Sequence, residues 1–223
     1  MEIHIAGVVH NDPLGPERLK SWLRGLPERS ANPPDFIAVE YASTDFLKIR
    51  DQRDASTEIA GRIWPEAPQA LVDALAPSIA YEADAHQEIF PDLEVLWLDE
   101  FREDRPPGAV EHFAGDRLED YCKWLEGEDV SLPIPVLLRK LSRKAWSTAS
   151  DKGPEPRDEE FARLIKERVN QRGSKCAIVV VGANHARKRK GRMRERLESS
   201  GIPCTVDILD PTKESCLEQD KEP

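Results

Sequence analysis

The chain has 223 residues and a net charge of −10, with 39% hydrophobic and 33% charged residues. This length allows one domain with a substantial core, and the acidic balance argues against general binding to nucleic acid or anionic membranes. The four cysteines form no C-x-x-C pair. Their spacing excludes a zinc ribbon and a dense disulfide scaffold, so they are predicted to be small packed thiols.

The first predicted elements form a βαβ unit. The apolar run at residues 3–9 predicts a buried strand that ends at His10. Residues 16–26 predict an amphipathic helix, and the apolar run at 36–39 predicts a second buried strand that ends at Glu40. A strand, a helix and a strand within about forty residues are typical of a parallel sheet.

The next predicted strand follows a helical region. Residues 44–76 have a mixed apolar pattern that suggests three short helices separated by prolines. Residues 78–90 predict a further helix, which contains Glu82. Residues 93–98 predict a third strand, which ends at Asp99.

Residues 100–156 are predicted to form a helical insertion, with helices near 114–126 and 135–146. An amphipathic helix at 157–171 then leads to the clearest strand of the chain, at 176–181. The segment that follows this strand contains the sequence Gly-Ala-Asn-His. The insertion therefore separates the third strand from the fourth.

The last predicted elements are a basic helix that ends at Ser200, with Gly201 as its C′ residue, and a strand at 204–209. The polar residues 210–223 are predicted to be a flexible tail. Together the patterns predict a single α/β domain over residues 1–209, with a mostly parallel central sheet flanked by helices.

Four predicted strands end on residues that can do chemistry, namely His10, Glu40, Asp99 and His185. Ligands bind at the carboxyl ends of strands in open α/β sheets. Both histidines stand in Gly-x-x-His turns, at residues 7–10 and 182–185, where glycine permits a sharp turn or a close approach. A histidine at a strand end can also be a hydrogen-bonded surface group, so each Gly-x-x-His turn alone is a weak signal. The agreement between these strand ends predicts one functional site.

The other three histidines have simpler interpretations. His4, inside the first strand, is predicted to be structural, and His112 is predicted to lie in a loop without a role. His86 is spaced four residues from Glu82, which predicts either an additional ligand or a surface pair on the same helix face.

The two Gly-x-x-His turns, with the sequence Pro-Asp-Phe-Ile-Ala-Val-Glu at 34–40 between them, resemble the TraB/PrgY–Tiki family, which is related to the erythromycin esterase and ChaN-like group. A glutamate in the helix before the third strand and the pair Arg157-Asp158 also resemble the family pattern. The resemblance spans roughly residues 3–209. It departs from the pattern at Asn184, where the family usually has glycine, and after Asp99, where the family usually has arginine.

The resemblance implies a metal-dependent hydrolase, in some members a proposed protease, that acts on a peptide, an ester or a similar bond. His10, Glu40 and His185 are then the metal ligands. Imidazole nitrogen and carboxylate oxygen suit a divalent transition metal such as Mn²⁺, Co²⁺ or Zn²⁺. A water bound to such a metal loses a proton near neutral pH and becomes a nucleophile.

The remaining site residues have roles that complete this chemistry. Glu82 is the candidate general base or a further ligand, and Asp99 is expected to orient a histidine. Arg157 or Arg102 is expected to hold an oxyanion or a substrate carboxylate.

A second hypothesis belongs to a different class of function. The basic run at residues 187–196 predicts a non-catalytic module that binds phosphate, nucleic acid or a protein partner, although a solvated basic face would have the same sequence. An inactive family member that serves in interaction is a third possibility. The chain starts without a signal peptide and has no apolar run of membrane-spanning length, which predicts a cytoplasmic protein without a membrane partner.

Overall fold

A computed structural model describes residues 1–100, 110–149 and 156–210. Within these residues the sheet consists of strands β1 (Glu2–Val8), β2 (Phe36–Val39), β3 (Glu94–Trp97), β4 (Cys176–Gly182) and β5 (Cys204–Ile208). The strand order is β3-β2-β4-β1-β5, and every pairing is parallel. The predicted α/β class with a mostly parallel sheet is therefore confirmed, since the described sheet is parallel throughout.

The helices that surround this sheet are α1 (Gly15–Arg24), α2 (Ser43–Asp54), α3 (Ser56–Ile63), α4 (Gln69–Leu75), α5 (Phe113–Trp124), α6 (Ile134–Thr148), α7 (Pro156–Arg172), α8 (Ala183–Ala186) and α9 (Met193–Ser199). The mixed pattern at 44–76 does contain three short helices, α2 to α4. Helices α5 and α6 lie in the predicted insertion. Residues 101–109, which include Arg102, residues 150–155 and the predicted tail from 211 onward lie outside the described residues.

Apolar side chains cover both faces of the sheet. On one face Leu19 and Leu23 of α1 pack with Val8, Ile37 and Val180 of the three central strands. Burying these side chains contributes the main stabilisation of the layer, at about 25 cal/mol per Å² of apolar surface removed from water. Nearly continuous apolar strands are what two-sided burial requires, and this explains why the sequence pattern identified β1, β2 and β4.

The opposite face is covered by the late helices. Phe161 and Ile165 of α7 and Leu197 of α9 pack on a second cluster that includes Ile5 and Val179. Residues on β1 alternate between the two clusters because successive strand side chains point to opposite faces. The result is a three-layer arrangement of helices, sheet and helices.

A separate helical layer lies beyond the sheet. Helices α3 to α6 form their own apolar cluster, which contains Trp64, Leu71, Leu118 and Leu141. This layer is attached to the segment after β1 through Asp12, which accepts a hydrogen bond of 2.9 Å from Trp146 Nε1 and is paired with Arg18. Asp12 is buried, so these donors offset the cost of removing its charge from water.

Two predicted helices are wrong. Residues 78–90 form short 3-10 helices, at Tyr81–Ala83 and Ala85–Glu88, instead of one α-helix. Ala80 interrupts the segment with a left-handed φ of 54°, a conformation that an α-helix does not contain. The shared helix face of Glu82 and His86 is therefore absent, and His86 is buried rather than on the surface.

The predicted basic helix is also shorter than expected. Residues 187–192 form an irregular segment, and α9 begins only at Met193. Gly201 follows the helix with a φ of 80°, as predicted for a C′ glycine. Among the described residues, no helix has the length and apolar character needed to cross a membrane.

Candidate functional site

The strand order places the predicted site at a topological switch point. Strands β1 and β4 are neighbours, but the chain leaves β1 toward β2 and leaves β4 toward β5, on opposite sides of the pair. The connections therefore diverge above the carboxyl ends of these strands and leave a crevice. His10 follows β1, and His185 lies in α8, which directly follows β4. Glu40 directly follows β2, on the other side of β4.

His10 lies between two carboxylates. Its Nδ1 is 2.8 Å from Glu82 Oε1, and its Nε2 is 3.5 Å from Glu40 Oε2. The second oxygen of Glu82 accepts a hydrogen bond of 3.3 Å from the Tyr41 hydroxyl. Glu82 is buried, and these donors hold it against His10, so the imidazole ring has one preferred orientation.

His185 repeats this arrangement with different partners. Its Nδ1 is 2.8 Å from Asp158 Oδ1, and its Nε2 is 3.4 Å from Glu40 Oε1. Asp158 is fully buried and also accepts a hydrogen bond of 2.8 Å from the Met193 backbone N–H. The ring of Phe161 packs against His185 at 5.3 Å between centroids.

Glu40 is the group that both histidines share. Its Oε2 also accepts a hydrogen bond of 2.7 Å from the Gly182 backbone N–H, and its Oε1 lies 2.9 Å from Arg157 Nη1. The carboxylate is almost fully buried. Two imidazoles, a guanidinium and a peptide N–H thus converge on one buried anion.

Each Gly-x-x-His glycine is required by a close contact. A Cβ on Gly182 would lie 2.9 Å from His10 Nε2 and 3.3 Å from Glu40 Oε2. A Cβ on Gly7 would lie 2.5 Å from Ile208 Cδ1. Neither glycine has a positive φ. Of the two explanations for these glycines, the structure therefore supports close approach.

The charged groups of the site shift one another's pKa values. Burial lowers the pKa of His10, but Glu40 and Glu82 outweigh this effect and raise the pKa to about 10. Burial likewise opposes the charged form of His185, while Asp158 and Glu40 raise its pKa to about 9. Burial raises the pKa of Glu40, yet the neighbouring imidazoles hold it well below its ordinary value. Both imidazoles are therefore protonated at neutral pH, and Glu40 is ionised.

A cavity of about 360 Å³ opens at this edge of the sheet. It is lined by the predicted residues His10, Glu40, Arg157 and His185. Of the four strand-end residues predicted to meet, His10 and His185 both lie beside Glu40, and Asp99 is connected to them through Arg157. The other lining residues are Val8, Val9, Asn11, Arg117, Trp146, Thr148, Ala149, Gly182, Ala183, Asn184 and Arg187.

Two predicted site residues lie behind this cavity. Glu82 is not among the lining residues, and its two oxygens contact His10 Nδ1 and the Tyr41 hydroxyl, a placement that suits orienting His10. Asp99 lies 3.4 Å from Arg157 Nη1. The carboxylate that orients His185 is Asp158, so the assignment of a histidine-orienting role to Asp99 is corrected.

Three residues of the site had no predicted role, namely Asp158, Tyr41 and Arg117. Asp158 was visible only as half of the Arg157-Asp158 pair, and its meeting with His185 depends on how α7 packs against the sheet. Arg117 comes from α5, and its guanidinium stacks over Phe113 at 4.9 Å. Trp146, which has polar neighbours in the sequence, also lines the cavity.

The donor set fits a divalent transition metal in its chemistry. Two imidazole nitrogens face one carboxylate at 3.4 and 3.5 Å, close to the separation of about 3.4 Å between neighbouring ligands of a tetrahedral zinc ion. Each imidazole also carries a carboxylate on its other nitrogen, as metal-ligating histidines do. The two nitrogens face different oxygens of Glu40, and no choice of one ligand atom from each of the three residues brings all three within 4.8 Å, so metal binding requires these side chains to rearrange.

The basic residues at 187–196 differ in burial and in their ion-pair partners. Arg192 is buried, with Nη1 3.7 Å from Asp158 Oδ2. Lys188 and Arg194 both contact Glu198, at 2.9 Å each. These ion pairs reduce the positive charge that this segment presents to a polyanion. The nucleic-acid hypothesis gains no support from this arrangement.

Comparisons of the chain with protein-family models, with curated proteins and with solved structures found no match. The resemblance to the TraB/PrgY–Tiki family therefore stays a prediction from the motifs.

Proposed function

We propose that the protein is a hydrolase whose active site lies at the carboxyl edge of the sheet, between His10, Glu40 and His185. One observation supports this proposal most strongly. Glu40 is shared by two imidazoles, and each imidazole is oriented through its Nδ1 by a second buried carboxylate. Both nitrogens of each ring thus face carboxylates, and one carboxylate serves both rings, so that acid–base groups are concentrated at one point of the cavity.

The geometry suits proton transfer to and from a bound water. Because Glu82 and Asp158 accept from the two Nδ1 atoms, the Nε2 atom of each ring is directed toward Glu40 at the cavity. Because both rings are protonated at neutral pH, each Nε2 can donate a proton to the leaving group. A ring that has lost this proton accepts one from an attacking water. Such positioned acid–base groups accelerate reactions by about 10²–10⁴-fold.

Cations around the cavity complete the chemistry. Arg157, Arg117 and Arg187 all contribute to the lining. A guanidinium stabilises the negative charge that develops on a carbonyl oxygen during hydrolysis, and it also binds a substrate carboxylate. We therefore propose a peptide or an ester with a nearby anionic group as the substrate.

His10, Glu40 and His185 are the residues that would hold a divalent transition metal, with Zn²⁺, Mn²⁺ and Co²⁺ as the candidates. Such an ion acts as a Lewis acid and lowers the pKa of bound water. The raised pKa values of the two histidines mean that protons must leave both rings before metal binds. Metal uptake is accordingly expected to release protons and to strengthen as the pH rises.

The test is a hydrolysis assay on protein purified without chelator and supplemented in turn with Zn²⁺, Mn²⁺ and Co²⁺. The substrates are a mixed peptide library, read by mass spectrometry, and p-nitrophenyl esters with neutral and carboxylated acyl groups. We expect turnover in at least one substrate class. His10→Gln and His185→Gln are each expected to reduce that rate by about 100-fold or more.

His112→Gln is the matched control, because His112 is exposed and does not line the cavity. It is expected to keep the wild-type rate. The proposal is contradicted if no substrate class is hydrolysed under any metal condition, or if both site variants hydrolyse as fast as the control.

A further inference from the structure

The amino edge of the sheet holds a second group of metal-ligand side chains, far from the chemistry of the carboxyl edge. Glu2 on β1 and Cys176 on β4 are register partners, and His4 lies two residues further along β1. Residues two apart on a strand share a face, and register partners point the same way. The sheet therefore places a carboxylate, an imidazole and a thiol side by side.

The distances agree with this placement. One ligand atom from each of Glu2, His4 and Cys176 can be chosen so that all three lie within 4.8 Å of one another. Among the described residues, this is the one set of three histidine, cysteine or carboxylate groups with that property.

His4 supplies an independent observation. The residue is 3% exposed, and its Nε2 has no hydrogen-bond partner. The nearest carboxylate oxygen, on Glu2, lies 3.6 Å away, beyond hydrogen-bond distance. An unsatisfied buried polar atom destabilises a fold. A ligand at Nε2 would remove this cost.

The surroundings allow such a ligand to enter. Cys176 is completely buried, whereas the Glu2 side chain is 31% exposed, so Glu2 connects the cluster to solvent. The Ser30 hydroxyl lies 3.4 Å from Cys176 Sγ and 2.6 Å from Glu2 Oε1. It fixes these two side chains on one side of the cluster.

We propose that Glu2, His4 and Cys176 form a binding site for a divalent transition metal with affinity for sulfur and nitrogen, Zn²⁺ above all. Thiolate, imidazole and carboxylate are the three ligand types that zinc takes in proteins, and sulfur disfavours Mg²⁺ and Ca²⁺. Three protein ligands leave one position for water. The metal would join β1 to β4 at the amino edge. This site does not depend on the proposed hydrolase function.

The test uses cobalt(II), which occupies zinc sites and gives a thiolate-to-cobalt charge-transfer band in the near ultraviolet when a cysteine is a ligand. The carboxyl-edge site contains no sulfur ligand, so cobalt bound there gives no such band. Wild-type protein is expected to develop the band with about one equivalent of Co²⁺ and to lose it on addition of Zn²⁺. A missing charge-transfer band therefore contradicts the amino-edge site alone and leaves the proposed hydrolase site at the carboxyl edge untouched.

Cys176→Ser and His4→Gln are expected to reduce the band by at least tenfold. Cys204→Ser is the matched control, because Cys204 is a partly buried thiol on β5 that pairs in register with Ile3, on the opposite face. It is expected to keep the full band. Near-ultraviolet circular dichroism of each variant checks that the fold is intact.

A thermal melt gives a second measurement. Zn²⁺ at about 100 times its Kd is expected to raise the Tm of wild type by about 5–10 °C, and of Cys176→Ser by much less. The proposal is overturned if wild type gives no charge-transfer band, or if Cys176→Ser keeps the band at wild-type intensity.

Discussion

The histidines at the two edges of the sheet have different partners at their ring nitrogens. At the carboxyl edge, His10 and His185 each have a carboxylate at Nδ1 and face Glu40 with Nε2. At the amino edge, His4 is as well buried as His185, but its Nε2 has no hydrogen-bond partner. The carboxyl-edge histidines thus have a carboxylate near both ring nitrogens, whereas Nε2 of His4 has only Glu2 Oε2 nearby, at 3.6 Å, and this is where we propose an additional ligand.

Among variants that keep the three central side chains, the largest expected effect concerns the tight packing at the carboxyl edge. Gly182→Ala places a methyl group 2.9 Å from His10 Nε2, so the imidazole must move away from Glu40. A displacement of about 1 Å in an active site costs about 100-fold in rate, and we expect a loss of this size in kcat/KM. The measurement is a steady-state assay with the substrate class identified above.

Gly61→Ala is the control for this substitution. Gly61 lies within α3, and a Cβ there meets no atom within 4 Å. Alanine is the better helix former by about 1 kcal/mol, so Gly61→Ala is expected to keep the wild-type rate and to melt slightly higher. Equal rates for the two variants would contradict the close packing of Gly182 against the site.

A smaller effect is expected from the orientation of His185. Asp158→Asn keeps an oxygen that can accept from Met193 N–H but removes the negative charge beside the imidazole. Loss of such a supporting carboxylate typically costs about 10–100-fold in activity or metal affinity. We expect kcat to fall within this range, with little change in KM.

Asp116→Asn, on the exposed surface of α5, is the comparison variant and should leave kcat unchanged. A kcat for Asp158→Asn that matches this control would show that Asp158 serves only to hold α9.

The smallest expected effect is on stability as a function of pH in chelator-treated protein. The folded pKa values of His10 and His185, about 10 and about 9, lie above the ordinary value of 6.5. Their contribution to stability is therefore fully present below pH 6.5 and is lost as the pH rises through 9 and 10. The Tm of wild type should fall more between pH 6.5 and pH 10 than that of a His10→Gln/His185→Gln double variant. If the Tm of both proteins fell equally over this pH range, the coupling between the two histidines and their carboxylates would be contradicted.

Much of the carboxyl edge could be predicted from sequence because strand ends are local features. Apolar runs identify where β1, β2 and β4 end, and parallel strands bring His10, Glu40 and His185 to one edge. The position of Glu82 was predicted inside an α-helix, yet it reaches His10 from a 3-10 turn after Ala80. The left-handed conformation of an alanine has no signal in the sequence.

The rest depends on long-range packing. Asp158 meets His185 because α7 packs on the same face of the sheet as α9, which no local pattern specifies. The amino-edge cluster depends on the register of Glu2 with Cys176, which are 174 positions apart. Register between distant parallel strands is set by the burial of whole faces, so His4 had only a structural interpretation in the sequence.

The most direct test of the account is the hydrolysis rate of Glu40→Gln compared with Glu28→Gln. Glutamine has nearly the shape of glutamate but cannot attract both imidazoles and Arg157, whereas Glu28 is exposed in the 3-10 helix after α1. We expect Glu40→Gln to lose about 100-fold or more in kcat/KM, while Glu28→Gln matches wild type. A Glu40→Gln protein that hydrolyses at the wild-type rate would contradict the assignment of the active site to this edge of the sheet.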